Sequence, residues 1–240
     1  MWLSVIIPAY NEEKRIKNTL LEVGNYLAKQ DYSYEIIVVN DGSTDKTLDI
    51  AEEVKSKIAN LIIINNKKNQ GKGFVVRQGL LNAKGEYRLF LDADNSASIE
   101  EIEKFFPYIK QGYDIVIGSR AIKGANIISA QPWQRKFLGN SYRLMVKFFA
   151  GLWDFYDTQC GFKIFSSKSV NDIFPKCKIN GWSFDVEVLI LAKKLGYSAK
   201  EVPINWSDSP GTKVKLKGMI KAVFDLLKMR WYTWYIIRIK

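Results

Sequence analysis

Short apolar blocks recur along the first half of the chain, each separated from the next by a polar stretch with helical spacing. Residues 3–8 form the first block, and 35–39, 61–64, 87–91 and 114–117 repeat it. None alternates strongly, so each predicts a strand covered on both faces. Between them, 12–29, a stretch reaching about Lys57, and 73–83 predict helices, with Thr44 or Asp45 capping the second. Ser98 followed by Glu101 predicts a capping box opening another helix. Strands alternating with helices predict an α/β, Rossmann-like fold with a mostly parallel central sheet flanked by helices. Such sheets bind ligands beyond the carboxyl ends of their strands, where Asp41 and the pair Asp92 and Asp94 fall.

The second half changes character. From 134 to 156 aromatic and basic residues interleave, among them Arg135, Phe148, Phe149 and Trp153. A polar, glycine-containing segment follows at 157–163, then a helix over 182–195 and a strand over 200–204. From Lys213 the tail is basic, apolar and aromatic, ending Arg230-Trp231-Tyr232-Thr233-Trp234-Tyr235. Amphipathic helices at about 132–156 and 214–236 are expected to lie on a membrane surface, where Trp and Tyr favour the headgroup region and Lys and Arg meet phosphates. The first of these reads equally well as a core helix with its aromatics turned inward. No stretch of about 18 uninterrupted apolar residues occurs, so no membrane span is expected. No signal peptide is expected either, and with no repeat or linker one domain over 1–240 is the natural reading.

Composition narrows the chemistry. Lys and Arg total 36 against 25 Asp and Glu, a formal charge of +11 that favours polyanions without choosing among nucleic acid, lipid surface and phosphorylated substrate. The chain contains no histidine, which removes Ser-His-Asp and Cys-His catalysis and His-containing zinc sites. A metal would be held by carboxylates, which suit Mg²⁺ or Mn²⁺. Cys160 and Cys177 read as small buried hydrophobes in a reducing compartment.

Asp92-Ala93-Asp94 is the sharpest local feature: two carboxylates at a strand end can share one divalent cation, completed by diphosphate oxygens and waters. Alone, such a pair is equally a solvated turn. Asn40-Asp41-Gly42-Ser43 could offer a carboxylate to the N–H groups of a nucleotide base, or form an ordinary turn before a helix. Asn69-Gln70-Gly71-Lys72-Gly73 is neither a P-loop nor a dinucleotide fingerprint, although its N–H groups or Lys72 could face phosphate.

Taken together, residues 5–12 (Val-Ile-Ile-Pro-Ala-Tyr-Asn-Glu), the Asn-Asp-Gly-Ser turn, Asn69-x-Gly-x-Gly and Asp-Ala-Asp resemble glycosyltransferase family 2 with its GT-A fold. Gly118-Ser119-Arg120, residues 157–163, 182–187 and 202–206 resemble its dolichyl-phosphate β-glucosyltransferase branch. The resemblance implies a nucleotide-sugar half over 1–120 and an acceptor half over 121–240. It implies that Pro8, Tyr10, Glu12, Val39, Asp41, Asp92, Ala93, Asp94 and Arg120 bind the nucleotide sugar, with Asp92 and Asp94 as metal ligands. Arg135 and Lys213 would face the acceptor phosphate, and Asp94, Asp185 and Gln159 would be catalytic, the last two bordering the sugar. Asn40 departs from the family's pattern, in which an aspartate is usual.

The implied reaction is an inverting, metal-assisted transfer of glucose from UDP-glucose to dolichyl or another polyprenyl phosphate, on the cytoplasmic face of a membrane. A homo-oligomer is compatible with it. A phosphate monoester has a second pKa of about 6, so the acceptor is already anionic and needs no strong base. Asp41 does not distinguish uracil from guanine, so GDP-mannose and UDP-N-acetylglucosamine stay open as donors, as does a glycan hydroxyl acceptor. A non-enzymatic basic module for membrane or nucleic acid is the remaining alternative. Against nucleic acid, the acids cluster at strand ends where a polyanion binder would place cations.

Overall fold

The structure is a computed structural model that describes residues 1–127, 133–207, 222–229 and 231. Its first half follows the expected alternation: β1 (Leu3–Ala9), α1 (Ile16–Leu27), β2 (Tyr34–Asn40), α2 (Thr47–Lys55), β3 (Leu61–Asn65), α3 (Lys72–Asn82) and β4 (Tyr87–Leu91). A 3-10 turn (Ile99–Lys104), α4 (Phe106–Lys110), β5 (Ile115–Ser119) and β6 (Asn126–Ile127) follow. The second half adds α5 (Trp133–Ala150), β7 (Phe162–Ser166), α6 (Ser167–Ile173), a 3-10 turn (Phe174–Lys176), α7 (Phe184–Leu195), β8 (Ala199–Pro203) and β9 (Asn205–Trp206).

The main sheet has seven strands in the order β3-β2-β1-β4-β7-β5-β8. β7 runs antiparallel to both β4 and β5, while the other neighbours pair in parallel. β7 is the strand that the sequence pattern hides. It begins inside the segment that reads as polar loop, and Lys163 interrupts its short apolar run. Because β7 and β8 join strands of the first half in one sheet, the two halves share a core.

The sheet separates two apolar layers, as its unbroken hydrophobic strands require. Along β1, Leu3, Val5 and Ile7 face the layer of α1 and α2, whereas Ile6 faces the layer containing α3 and α7 residues. Ile16, Leu20, Val23 and Leu27 are fully buried, giving α1 the spacing of one helix face.

Asp45 caps the second helix as expected, its Oδ1 accepting from the Thr47 N–H at 3.0 Å, although the residue directly before the helix is Lys46. Ser98 caps the 3-10 turn, but Glu101 does not complete a box. Its carboxylate accepts instead from the Asn205 N–H at 3.0 Å and Asn205 Nδ2 at 2.9 Å.

The helix expected over 132–156 ends at Ala150 and is followed by Gly151 at φ 67°, a left-handed residue that ends helices readily. It is two-sided: Tyr142 and Val146 are buried, while Leu144 and Phe148 are more than half exposed. Residues 222–229 are helical and bury Ala222, Leu226 and Met229 against the core, leaving Phe224 and Trp231 exposed. The rest of the expected tail helix lies outside the described residues. Among the described residues, no helix is long and apolar enough to cross a membrane.

Candidate active site

β1 is flanked by β2 on one side and β4 on the other, so the chain reverses its direction of winding at β1. In a doubly wound sheet the crevice at that reversal is the natural ligand site. Tyr10 leaves the end of β1, Asp41 the end of β2, and Asp92 the end of β4.

The first turn is locked from within. Asn11, at φ 52°, accepts from the Thr44 N–H at 2.8 Å while its own N–H donates to Ser43 Oγ at 2.9 Å. Asn40 Oδ1 accepts from Ser43 Oγ at 2.5 Å, and its Nδ2 donates to Asn65 Oδ1 at 2.8 Å. Asn40 therefore fastens the ends of β2 and β3, which accounts for an amide there.

Asp41 is buried and accepts from the Gln70 N–H at 2.8 Å and the Gly71 N–H at 3.0 Å. Burial raises its pKa, opposed by these two N–H groups. The N–H groups that could have faced a phosphate are thus used to hold the 69–71 loop against Asp41. Gly42 is required for that packing: at φ 67°, an added Cβ would come within 2.6 Å of the Lys68 backbone.

Asp92 is the centre of a charged cluster. Its Oδ1 lies 2.7 Å from Lys72 Nζ, and its backbone N–H donates to the Gly161 carbonyl at 3.0 Å. Asp94 Oδ1 accepts from the Ser96 N–H at 3.0 Å, closing a tight turn after the strand. Behind Asp92, Asp185 in the first turn of α7 pairs with Lys163 at 2.5 Å, and Lys163 also donates to the Cys160 carbonyl. Lys163 is 1% exposed and Asp185 4% exposed. Burial raises the Asp185 pKa against the pull of Lys163 and Lys72. Burial draws Lys72 down, but Asp92 and Asp185 outweigh it and hold the ammonium above its ordinary value.

The remaining sequence-predicted residues divide. Tyr10 is exposed at the strand exit, and Gln159 is exposed on the segment between Asp157 and Gly161. Pro8, Val39 and Ala93 are buried, so they can shape the crevice only as wall and backbone; Ala93 O accepts from Thr19 Oγ1 at 2.8 Å. The Glu12 carboxylate is 2.5 Å from Arg15. Arg120 grips Asp157 through Nε at 2.7 Å and Nη2 at 2.8 Å, so its guanidinium braces the loop carrying Gln159. Burial lowers and Asp157 more than restores the Arg120 pKa, leaving it raised. The side chain of Arg135 and the whole of Lys213 lie outside the described residues. Both cysteines are free and buried, and burial raises the pKa of each, Cys160 to about 12.

Sequence reasoning missed Lys163, Gly161 and Trp182 as parts of this site. A lysine within Phe-Lys-Ile-Phe was the available signal, because a lysine in a buried strand must find an anion. Gly161 and Trp182 carry no such signal; β7 brings the first to Asp92, and the packing of the 180–181 backbone against the start of α3 brings the second to Lys72.

The family model for glycosyl transferase family 2 matches residues 4–174. A dolichyl-phosphate beta-glucosyltransferase of Trichomonas vaginalis is 37% identical over 239 residues, which cover 95% of this chain and 73% of that protein. The Saccharomyces cerevisiae protein of the same name is 36% identical over 250 residues, covering 96% and 74%. Among solved structures, glucosyl-3-phosphoglycerate synthase from Mycobacterium tuberculosis superposes with a TM-score of 0.71 at 18% identity, covering 95% of this chain and 79% of that one. The same enzyme in complex with Mn²⁺, UDP-glucose and phosphoglyceric acid gives a TM-score of 0.70 at 16% identity, covering 95% and 79%.

Proposed function

Because this chain belongs to glycosyl transferase family 2 and is a glycosyltransferase of GT-A fold, we propose that it transfers glucose from UDP-glucose to dolichyl or another polyprenyl phosphate. The observation that carries this reading is its identity of 33–37% with dolichyl-phosphate beta-glucosyltransferases along most of its length. A divalent cation, Mg²⁺ or Mn²⁺, would be held by Asp92 and Asp94. Two carboxylates suit a cation that keeps waters and takes its other ligands from phosphates. Gly161 makes room for the Asp92 carboxylate, which a Cβ at that position would overlap. When bound, the cation supplies charge to stabilise the departing diphosphate.

The chain's own groups orient the reactants. Asp41 holds the 69–71 loop beside the crevice, where its remaining lone pairs and Tyr10 would meet base and ribose. Arg120, through Asp157, fixes the segment presenting Gln159 toward the sugar. An acceptor phosphate is already anionic, so its oxygen can attack the anomeric carbon with inversion without a base. Asp185 suits that scheme better than a hydroxyl acceptor, since its carboxylate is tied to a buried ammonium rather than open to a reacting proton.

A lipid acceptor would bring the enzyme to a membrane surface, and we assign it to the cytoplasmic face. Leu144, Phe148 and Trp153 are 55%, 62% and 54% exposed, and Phe148 and Trp153 lie in edge-to-face contact at 5.2 Å. Lys147 Nζ sits 4.4 Å from the Tyr156 ring centroid, adding a cation beside this apolar patch. Such a mixture suits an anionic headgroup layer. The test is a screen of UDP-glucose, GDP-mannose and UDP-N-acetylglucosamine against dolichyl and undecaprenyl phosphate with Mn²⁺ present, identifying products by mass. Glucosyl-phospholipid is the expected product, and Asp94→Ala is expected to abolish it while leaving the fold intact. Full activity in that variant would overturn the metal assignment, and no lipid product from any donor would overturn the function.

A further inference from the structure

Lys72 has an unusual position for a lysine. It opens α3, is 16% exposed, and its ammonium lies 5.2 Å from the Phe90 ring centroid and 4.9 Å from that of Trp182. Its backbone is fixed on both sides. Gly71, at φ 101°, lies so close to the 180–181 backbone that a Cβ would reach within 2.4 Å of the Asn180 carbonyl. The Gly73 N–H donates to the same carbonyl at 2.8 Å, and Arg77 Nη1 donates to the Cys177 carbonyl at 2.7 Å. Glu187, fully buried in α7, accepts from the Lys178 and Ile179 N–H groups at 2.7 and 2.8 Å. The loop carrying Trp182 and the start of α3 therefore form one rigid piece, and the motion left to Lys72 is that of its own flexible stem.

The charges around it allow few partners. Asp185 is already bonded to Lys163 at 2.5 Å, and Lys72 holds Asp92 at 2.7 Å, with the charges of Asp185 and Asp94 nearby. Asp92 and Asp94 together balance a divalent cation and leave nothing for the Lys72 ammonium, and like charges held this close in a partly dry site repel strongly. We infer that Lys72 and the divalent cation compete for Asp92, and that Lys72 exchanges from Asp92 Oδ1 to a phosphate oxygen of the nucleoside diphosphate when both ligands bind. This deepens the proposed function and rests on it. Lys72 would then be a second cation on the diphosphate, positioned by Phe90 and Trp182, and its exchange would couple cation binding to donor binding.

Competition and cooperation predict effects of opposite sign, which a merely structural lysine would not produce. Mn²⁺ alone is titrated into wild type and Lys72→Met, followed by UDP and GDP titrations at saturating Mn²⁺. The variant is expected to bind Mn²⁺ severalfold more tightly. It is expected to bind whichever nucleotide wild type prefers about tenfold more weakly, the loss of one charge-assisted hydrogen bond. Lys72→Arg keeps the charge but not the compact ammonium, so its nucleotide affinity should lie between those of wild type and Lys72→Met. If circular dichroism shows Lys72→Met unfolded, Lys72→Gln makes the same comparison. Weaker Mn²⁺ binding, or unchanged nucleotide binding in a variant of a wild type that transfers glucose, overturns this inference alone. A wild type that binds neither nucleotide with Mn²⁺ overturns the proposed function, and this inference with it.

Discussion

Gly161 lies against the Asp92 carboxylate so closely that a Cβ at residue 161 would sit 1.9 Å from Asp92 Oδ2. The contact arises because β7 enters the sheet beside β4, pairing Leu91 with Phe162. The Gly161 carbonyl also accepts the Asp92 N–H, so the strand that supplies the space also fixes the residue filling it.

Gly161→Ala is therefore expected to turn the Asp92 side chain out of place. Sugar transfer and Mn²⁺ affinity should both fall at least tenfold, while overpacking costs about 1–3 kcal/mol of stability. Activity assays and thermal unfolding of the same preparation separate the two effects. An alanine variant with wild-type metal binding would show that Asp92 need not keep this orientation.

The buried pair between Lys163 and Asp185 should behave as a unit. Lys163→Met alone leaves a buried carboxylate without its bonded partner and is expected to cost about 3 kcal/mol in denaturant unfolding. Lys163→Met combined with Asp185→Leu should recover most of that loss, because well-packed apolar residues can replace a buried pair at little cost. Additive losses in the double-mutant cycle would contradict the pairing.

Arg120 and Asp157 link stability to pH. Burial raises the Asp157 pKa, but the adjacent Arg120 guanidinium outweighs it and leaves it lowered. A lowered carboxyl pKa means that the unfolded chain binds the proton first on acidification. The pair's contribution is thus present above the ordinary value of 3.8 and is lost as pH falls below it, through the folded-state pKa. Urea unfolding of wild type should show this loss, and Asp157→Asn, weaker at neutral pH, should lack that part of the slope. Equal slopes would mean that Asp157 is not held ionised by Arg120.

The exposed aromatic patch gives a membrane test. Phe148→Ser with Trp153→Ser should lower partitioning onto phosphatidylglycerol-containing vesicles at least tenfold, since each large side chain contributes about 1.5–3 kcal/mol when fully buried. Thermal stability should change little, because both residues are more than half exposed. Unchanged co-sedimentation with vesicles would remove this surface from the membrane contact.

The sequence alone carried the strand and helix alternation, the placing of Asp41, Asp92 and Asp94 at strand ends, and the family. Those features are local: unbroken apolar runs, turn residues and short motifs are read within a few positions of themselves. Tertiary structure alone decided that β7 inserts antiparallel between β4 and β5, carrying Lys163 to Asp185 and Gly161 to Asp92. It also decided that the Asp41 carboxylate holds the 69–71 loop and that Glu101 reaches Asn205 rather than closing its own helix turn. These contacts join residues about 22 to 104 positions apart, and a buried charge is matched by whichever partner the packing brings near, so no local pattern announces it.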